Sequence, residues 1–134
     1  MKSPLYLLDT DVSINYLHGS VSTAQKILAV GQESCCLSEI TVAELKYGAA
    51  KSKQPERHGQ QVDSFLAKFD ILSISPILDV FASEKARLER LGCRLDDFDL
   101  LIGATAIQYG LVLVTNNVKH FERMQHLSIE NWMA

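Results

Sequence analysis

Three cysteines in 134 residues are too few and too poorly spaced for a disulfide framework or a zinc clamp. Cys35 and Cys36 are adjacent, Cys93 stands alone, and no C-x-x-C occurs. Neighbours on a strand point to opposite faces, so the adjacent pair reads as two reduced, structural thiols. Long apolar runs are missing too, and no stretch is long enough to span a bilayer. The opening Met1-Lys2-Ser3-Pro4-Leu5-Tyr6-Leu7-Leu8 has one positive side chain and a short apolar run. Asp9 and Asp11 interrupt that run before it reaches the length of a signal core, which makes the cytoplasm the default expectation and no membrane association expected. Positive charge is not in excess: at a net charge of −3, any polyanion has to be held by local basic residues and a bound cation. His18, His58, His120 and His126 show no H-x-H or H-E-x-x-H spacing. There is no G-x-S-x-G elbow, P-loop or G-x-G-x-x-G, so zinc hydrolysis, serine hydrolysis and nucleotide cradling lack support. No repeat, low-complexity tract or linker divides the chain, and residues 1–134 read as a single domain.

What is present is an alternation of short apolar strands and longer helices. Strands are expected over residues 5–8, 35–37, 71–74, 111–115 and 127–129; the fourth is a continuous apolar run rich in β-branched residues. Helices are expected over 12–18, 22–30, 60–69, 76–91 and 96–109, with one more from Ser38 or Thr41 to Ala50 and a single turn over 120–124. Ser22 and Asp11 are candidate N-caps, Gly19, Gly31, Gly92 and Gly110 are stops, and residues 51–58 read as a polar turn. Strands apolar on both faces imply a mostly parallel sheet covered on both sides, an α/β/α arrangement. Ligands of such sheets sit beyond the carboxyl ends of the strands, where Asp9 and Thr115 fall.

Four carboxylates border or interrupt segments that otherwise call for burial. Asp9 ends the first strand. Glu44 lies on the helical side of Ile40, Thr41, Tyr47 and Gly48. Asp97 and Asp99 open the helix that runs to Tyr109. Asp96 reads as that helix's N-cap, Asp99 as a ligand and Asp97 as a candidate second ligand, although acids at a helix start also serve capping and the helix dipole. At ~4 Å and an effective dielectric near 20, one carboxylate pair costs about 4 kcal/mol, so convergence of these acids invites a cation. Oxygen ligands of this kind favour Mg²⁺ or Mn²⁺ over zinc. Thr115-Asn116-Asn117 serves either a phosphate, water or carboxylate, or a tight turn. Arg87, Arg90 and Arg94, like Lys46, Lys51 and Lys53, either guide a phosphodiester backbone or form a solvated face.

Four segments, in order, resemble the PIN-domain family and its VapC ribonuclease toxins. They are Leu7-Leu8-Asp9-Thr10-Asp11-Val12, the run from Ser38 through Glu44 to Gly48, the run from Asp97 through Asp99 to Ala106, and Leu113-Val114-Thr115-Asn116-Asn117-Val118-Lys119-His120-Phe121, closed by Ile129-Glu130-Asn131-Trp132. The resemblance implies a three-layer α/β/α sandwich with a central parallel sheet (PIN-like) and an acidic, Mg²⁺-dependent site for hydrolysing RNA. Asp9, Glu44 and Asp99 match the family's core acids, and Asp97 a position that is often acidic. Asp11 stands where the family commonly has Asn, and Asn117 where many members carry a fourth acid. The resemblance also implies a cognate VapB-type antitoxin that covers the cleft and a homodimer, for which Tyr16, Ile40 and Phe65 are candidate apolar contacts. Two rivals stay in view. One is a haloacid-dehalogenase-like phosphohydrolase with Asp9 as nucleophile, which needs a later lysine and an acidic strand end. The other is a non-enzymatic receiver-like phosphoacceptor, which needs an acceptor Asp at the end of a central strand.

Overall fold

A computed structural model describes residues 4–132 of the chain. Five strands, Tyr6–Leu8 (β1), Cys35–Ser38 (β2), Asp70–Leu72 (β3), Val112–Val114 (β4) and Ser128–Glu130 (β5), form one parallel sheet in the order β3-β2-β1-β4-β5. The helices are Thr10–Leu17 (α1), Val21–Val30 (α2), Glu39–Ala50 (α3), Pro55–Leu66 (α4), Leu78–Arg90 (α5), Asp97–Tyr109 (α6) and Val118–Phe121 (α7). Strand order reverses between β1 and β4, so a crevice opens at their carboxyl ends.

Period-two alternation divides the core. Leu7, Cys36 and Leu113 face one side and pack with Leu88, Leu100, Ile102, Ala106 and Phe121 from α5, α6 and α7. Leu8, Cys35, Leu37 and Val114 face the other and pack with Val12, Ile27, Leu45, Val62 and Phe65 from α1 to α4. Each fully buried aliphatic side chain contributes roughly 1.5–3 kcal/mol; β1 and β4 supply one to each face, and β2 supplies Leu37 to one face and Cys36 to the other. The chain therefore forms the expected three-layer sandwich. Cys35 and Cys36 lie on opposite faces, and burial pushes both thiols up to about 12. Among the described residues, no helix is long and apolar enough to cross a membrane.

Several boundaries differ from expectation. Helix α4 begins at Pro55 and not at residue 60, because Pro55 takes the first helical position. The segment read as a turn over 51–58 is thus partly helix. Ser20, not Ser22, caps α2; its hydroxyl accepts from the Thr23 amide at 3.3 Å. Asp9, not Asp11, caps α1. Pro76 sits in a 3-10 turn, Ser75–Ile77, that precedes α5. Strand β3 starts one residue earlier than expected and stops at Leu72. The helical turn expected over 120–124 lies two residues earlier, at Val118–Phe121. Of the proposed dimer contacts, Ile40 and Phe65 are core residues, and Tyr16 is half-buried against Phe65 with ring centroids 5.2 Å apart. The sequence shows that these residues are apolar; only packing shows that two of them are already covered.

One ion pair locks the segment that carries α7. Glu84, 8% exposed on α5, accepts two hydrogen bonds from Arg87 at 2.9 Å and one from the Gln125 amide at 3.1 Å. Arg87 also donates to the Arg123 carbonyl at 2.8 Å. The Arg87 hydrogen bonds hold the Glu84 carboxyl below its ordinary value. Gly103 on α6 leaves room for Met124, which would meet an added Cβ. Arg87→Ala strands a desolvated carboxylate, so a loss of about 3 kcal/mol is expected in urea unfolding. A midpoint shift equivalent to less than ~1 kcal/mol would show that the strap contributes little. Because the folded Glu84 value is lowered, its contribution is present above the unfolded carboxylate range and fades as pH falls through the folded value.

Candidate active site

Asp9 follows β1 directly, with extended backbone, and its amide donates to the Val114 carbonyl at 2.9 Å. Asp9 is 6% exposed. One oxygen accepts the Thr10 amide at 2.8 Å and the other the Thr115 hydroxyl at 2.7 Å. Thr115 accepts in turn from the Asn117 amide at 3.0 Å, so its single hydroxyl hydrogen is committed to Asp9. Burial is the largest influence on Asp9, and the charges of Asp11 and Asp99 add to it. Together they outweigh the hydrogen bonds from Thr115 and Thr10 and push the carboxyl up to about 7.

Asp11, in the first turn of α1, is raised by the same desolvation. One oxygen accepts the Asn116 amide at 3.2 Å. Its other oxygen and the Asn116 side-chain oxygen are buried with no hydrogen-bond partner among the described residues. Two orphaned acceptors beside Asp9 are an excess of negative potential that a proton or a cation relieves.

Asp99 sits in the first turn of α6, half-buried, with one oxygen 2.8 Å from His120 Nε2. Desolvation raises it, His120 opposes the rise, and the charges of Asp96 and Asp11 reinforce it. Asp96 occupies the N-cap position without a side-chain capping bond. Glu44 reaches the centre through Thr10, whose hydroxyl donates to Oε1 at 2.6 Å. With that hydrogen committed, Thr41 is the donor in its 3.0 Å contact with Thr10. Asp97 is placed differently: its carboxylate is 2.9 Å from Lys85 Nζ, in the cleft between α5 and α6.

The fold therefore joins Asp9, Asp11 and Asp99 electrostatically, links Glu44 through Thr10, and turns Asp97 onto Lys85. Among the described residues, no three acidic, His or Cys side chains stand close enough together to form a ready-made ion site. The donor set still fits a hard divalent cation, because all its free groups are oxygens, three carboxyls are pushed toward protonation, and two acceptors are orphaned. Sequence reasoning underweighted Asp11 and missed Thr10 and His120. The signal for Asp11 was its charge at a position adjacent to the site; a lone hydroxyl and a lone histidine carry no comparable signal.

The rival sites are not assembled. The acids after Arg94 open a helix and not a strand end, and Lys85 lies mid-helix on Asp97. Asp70 opens edge strand β3 at its amino end. Asp9 does end the central strand β1, but it is buried and bonded to Thr10 and Thr115, and Lys119, the lysine after β4, is followed by His120 and not by proline.

Acids gathered at the switch point of a five-stranded parallel sheet define the PIN-domain class of nuclease folds, and the PIN domain family model matches residues 6–127. The chain belongs to this family, among the VapC proteins. It is 37% identical over 129 residues to ribonuclease VapC2 of Haemophilus influenzae, covering 96% of this chain and 98% of that protein. It is 32% identical over 128 residues to the tRNA(fMet)-specific endonuclease VapC of Shigella flexneri, covering 95% and 97%. Among solved structures, DNA-bound VapBC from Salmonella typhimurium superposes with a TM-score of 0.91 at 31% identity, covering 96% of this chain and 98% of that one. VapBC2 from Rickettsia felis, bound to a DNA fragment from the promoter, gives 0.90 at 30% identity, with the same coverage.

Proposed function

We propose that this chain is a divalent-metal-dependent endoribonuclease, the toxin of a toxin–antitoxin pair, held inactive by a VapB-type antitoxin. The observation that carries the chemistry is the group of desolvated, mutually repelling carboxyls Asp9, Asp11 and Asp99, with an orphaned Asp11 oxygen. Mg²⁺, with Mn²⁺ as substitute, would be held by Asp9 and Asp99, with Glu44 and Asp97 binding directly or through water. When bound, such an ion lowers the pKa of a water and neutralises charge developing on the phosphate. The Thr10 amide and Thr115 hydroxyl fix the Asp9 carboxylate. His120 orients Asp99, and Thr10 holds Glu44 in reserve on its hydroxyl. For Asp97 to contribute it has to leave Lys85. Hydrolysis by water, with departure of the 3′-oxygen, leaves a 5′-phosphate and a 3′-hydroxyl.

The VapBC complexes to which the chain is similar support a VapB-type antitoxin as its partner; by our reading it covers the acidic cleft. A homodimer remains part of the proposal, with its contacts on surfaces other than Ile40 and Phe65. The test is cleavage of cellular RNA by the antitoxin-free chain with Mg²⁺, with EDTA, and with Asp99→Ala. Discrete fragments that bear 5′-phosphates and need both metal and Asp99 are expected. Absence of cleavage by folded, metal-supplied protein overturns the ribonuclease reading.

A further inference from the structure

A cavity of about 280 Å³ lies between α1, α3 and α4. Glu44 lines it, so it is continuous with the acidic centre through a residue of that centre. Its walls include the apolar Leu45 and Val62, and His18, His58 and Gln61 also line it. Of these last three, His18 and Gln61 are exposed and His58 is half-buried, so their polar groups are open to a ligand. The helical structure itself does not require two histidines and a glutamine here: Leu45 and Val62 already bury that side of the core.

We propose that this cavity is a base-recognition pocket, which takes the base of an unpaired nucleotide next to the scissile phosphate. The inference rests on the ribonuclease reading above and adds a sequence-reading subsite to it. Three observations select a nucleobase. A phosphate held at the acidic centre brings its attached nucleotide to Glu44, the edge that the cavity shares. The lining pairs apolar walls with imidazole rings and an amide, the groups that stack on unpaired bases and bond to their edges. The neighbouring segment supplies the missing positive charge: Lys51, Lys53 and Arg57 are exposed, with Glu56 the one acid among residues 51–58. That local excess suits an RNA backbone on a chain whose net charge is −3. An RNA duplex keeps its bases stacked, so the pocket selects a loop or single strand.

The experiment begins with 5′-end sequencing of RNA cut by the wild-type chain. Single-stranded oligonucleotides carrying the mapped site then receive an abasic replacement at each nucleotide flanking the cut. The intact and abasic RNAs are cut by wild type and by a His58→Ala/Gln61→Ala variant whose melting temperature matches wild type; if that pair does not fold, His18→Ala takes its place. One abasic position is expected to lower wild-type kcat/KM roughly 10- to 100-fold, the range of base–side-chain stacking. The variant should lose a similar factor on intact RNA, and the abasic change should then cost it no more than about twofold, because both remove one interaction. Losses that multiply, or a variant with unchanged rate and cleavage pattern, overturn the pocket while leaving the nuclease in place. A variant that cuts like wild type but escapes a VapB-type antitoxin assigns the cavity to protein and also overturns it. If wild type cuts no RNA at all, the ribonuclease reading fails, and the pocket proposal falls with it.

Discussion

Asp9→Asn is expected to lower RNA cleavage by more than about 100-fold without lowering the melting temperature of the metal-free protein. Loss of groups that merely support a metal ligand costs roughly 10–100-fold, so loss of a ligand should exceed that range. The stability side follows from the position of Asp9. The ionised carboxylate is desolvated and repelled by Asp11 and Asp99, which raises its pKa to about 7, so the charged form is disfavoured relative to a solvated carboxylate. Asparagine keeps an oxygen for the Thr10 amide or the Thr115 hydroxyl and removes the charge. Single-turnover cleavage and thermal melts at pH 8 check both halves. Activity within tenfold of wild type rejects Asp9 as a ligand. A melting temperature several degrees lower shows instead that its capping of α1 is the dominant role.

The second large effect is stabilisation by the ion, with a definite dependence on pH. Asp9, Asp11 and Asp99 all have folded values above the unfolded value near 3.9. Through this window the folded state binds more protons than the unfolded state, so metal-free stability falls as pH rises from about 4 through about 7. A divalent cation replaces those protons and should restore what was lost. At a concentration of 100 Kd, binding adds about 2.7 kcal/mol, on the order of 10 °C for a chain of this size. The rise produced by Mg²⁺ or Mn²⁺ should be large at pH 8 and small at pH 5.5, where protons compete for the same oxygens. Calorimetric melts with and without EDTA at the two pH values measure it. Equal shifts at both, or none at pH 8, place the ion elsewhere or remove it from the site.

Much of the architecture was legible because it depends on local periodicity. Runs such as Leu5-Tyr6-Leu7-Leu8 and Leu111-Val112-Leu113-Val114 have one buried solution, a short parallel strand covered on both faces. The α6 helix ends at Gly110 with φ of 63°, a left-handed conformation that glycine adopts without a Cβ clash. Boundaries were less legible where two caps compete. Ser20 and Ser22 are chemically equal, and the one whose hydroxyl meets the Thr23 amide wins. Asp9 and Asp11 are equal too, and the register of β1 against β4 decides between them by fixing the Asp9 amide on Val114. Helix α4 was read late because its first turn is polar and exposed, which hides helical periodicity.

By itself the sequence determined the α/β/α class, the carboxylates at strand and helix ends, and the likeness to PIN-domain nucleases carried by segments around Asp9, Glu44, Asp99 and Thr115. Each of these is a property of residue type and local spacing. Tertiary structure alone decided which acids meet. It coupled Asp11 to Asp9, gave Asp99 to His120 and Asp97 to Lys85, tied Glu44 to Thr10, and opened a cavity between α1, α3 and α4 beside Glu44. Those pairings join residues up to 34 positions apart. Strand order and helix packing set such distances, and no local pattern of residues encodes them.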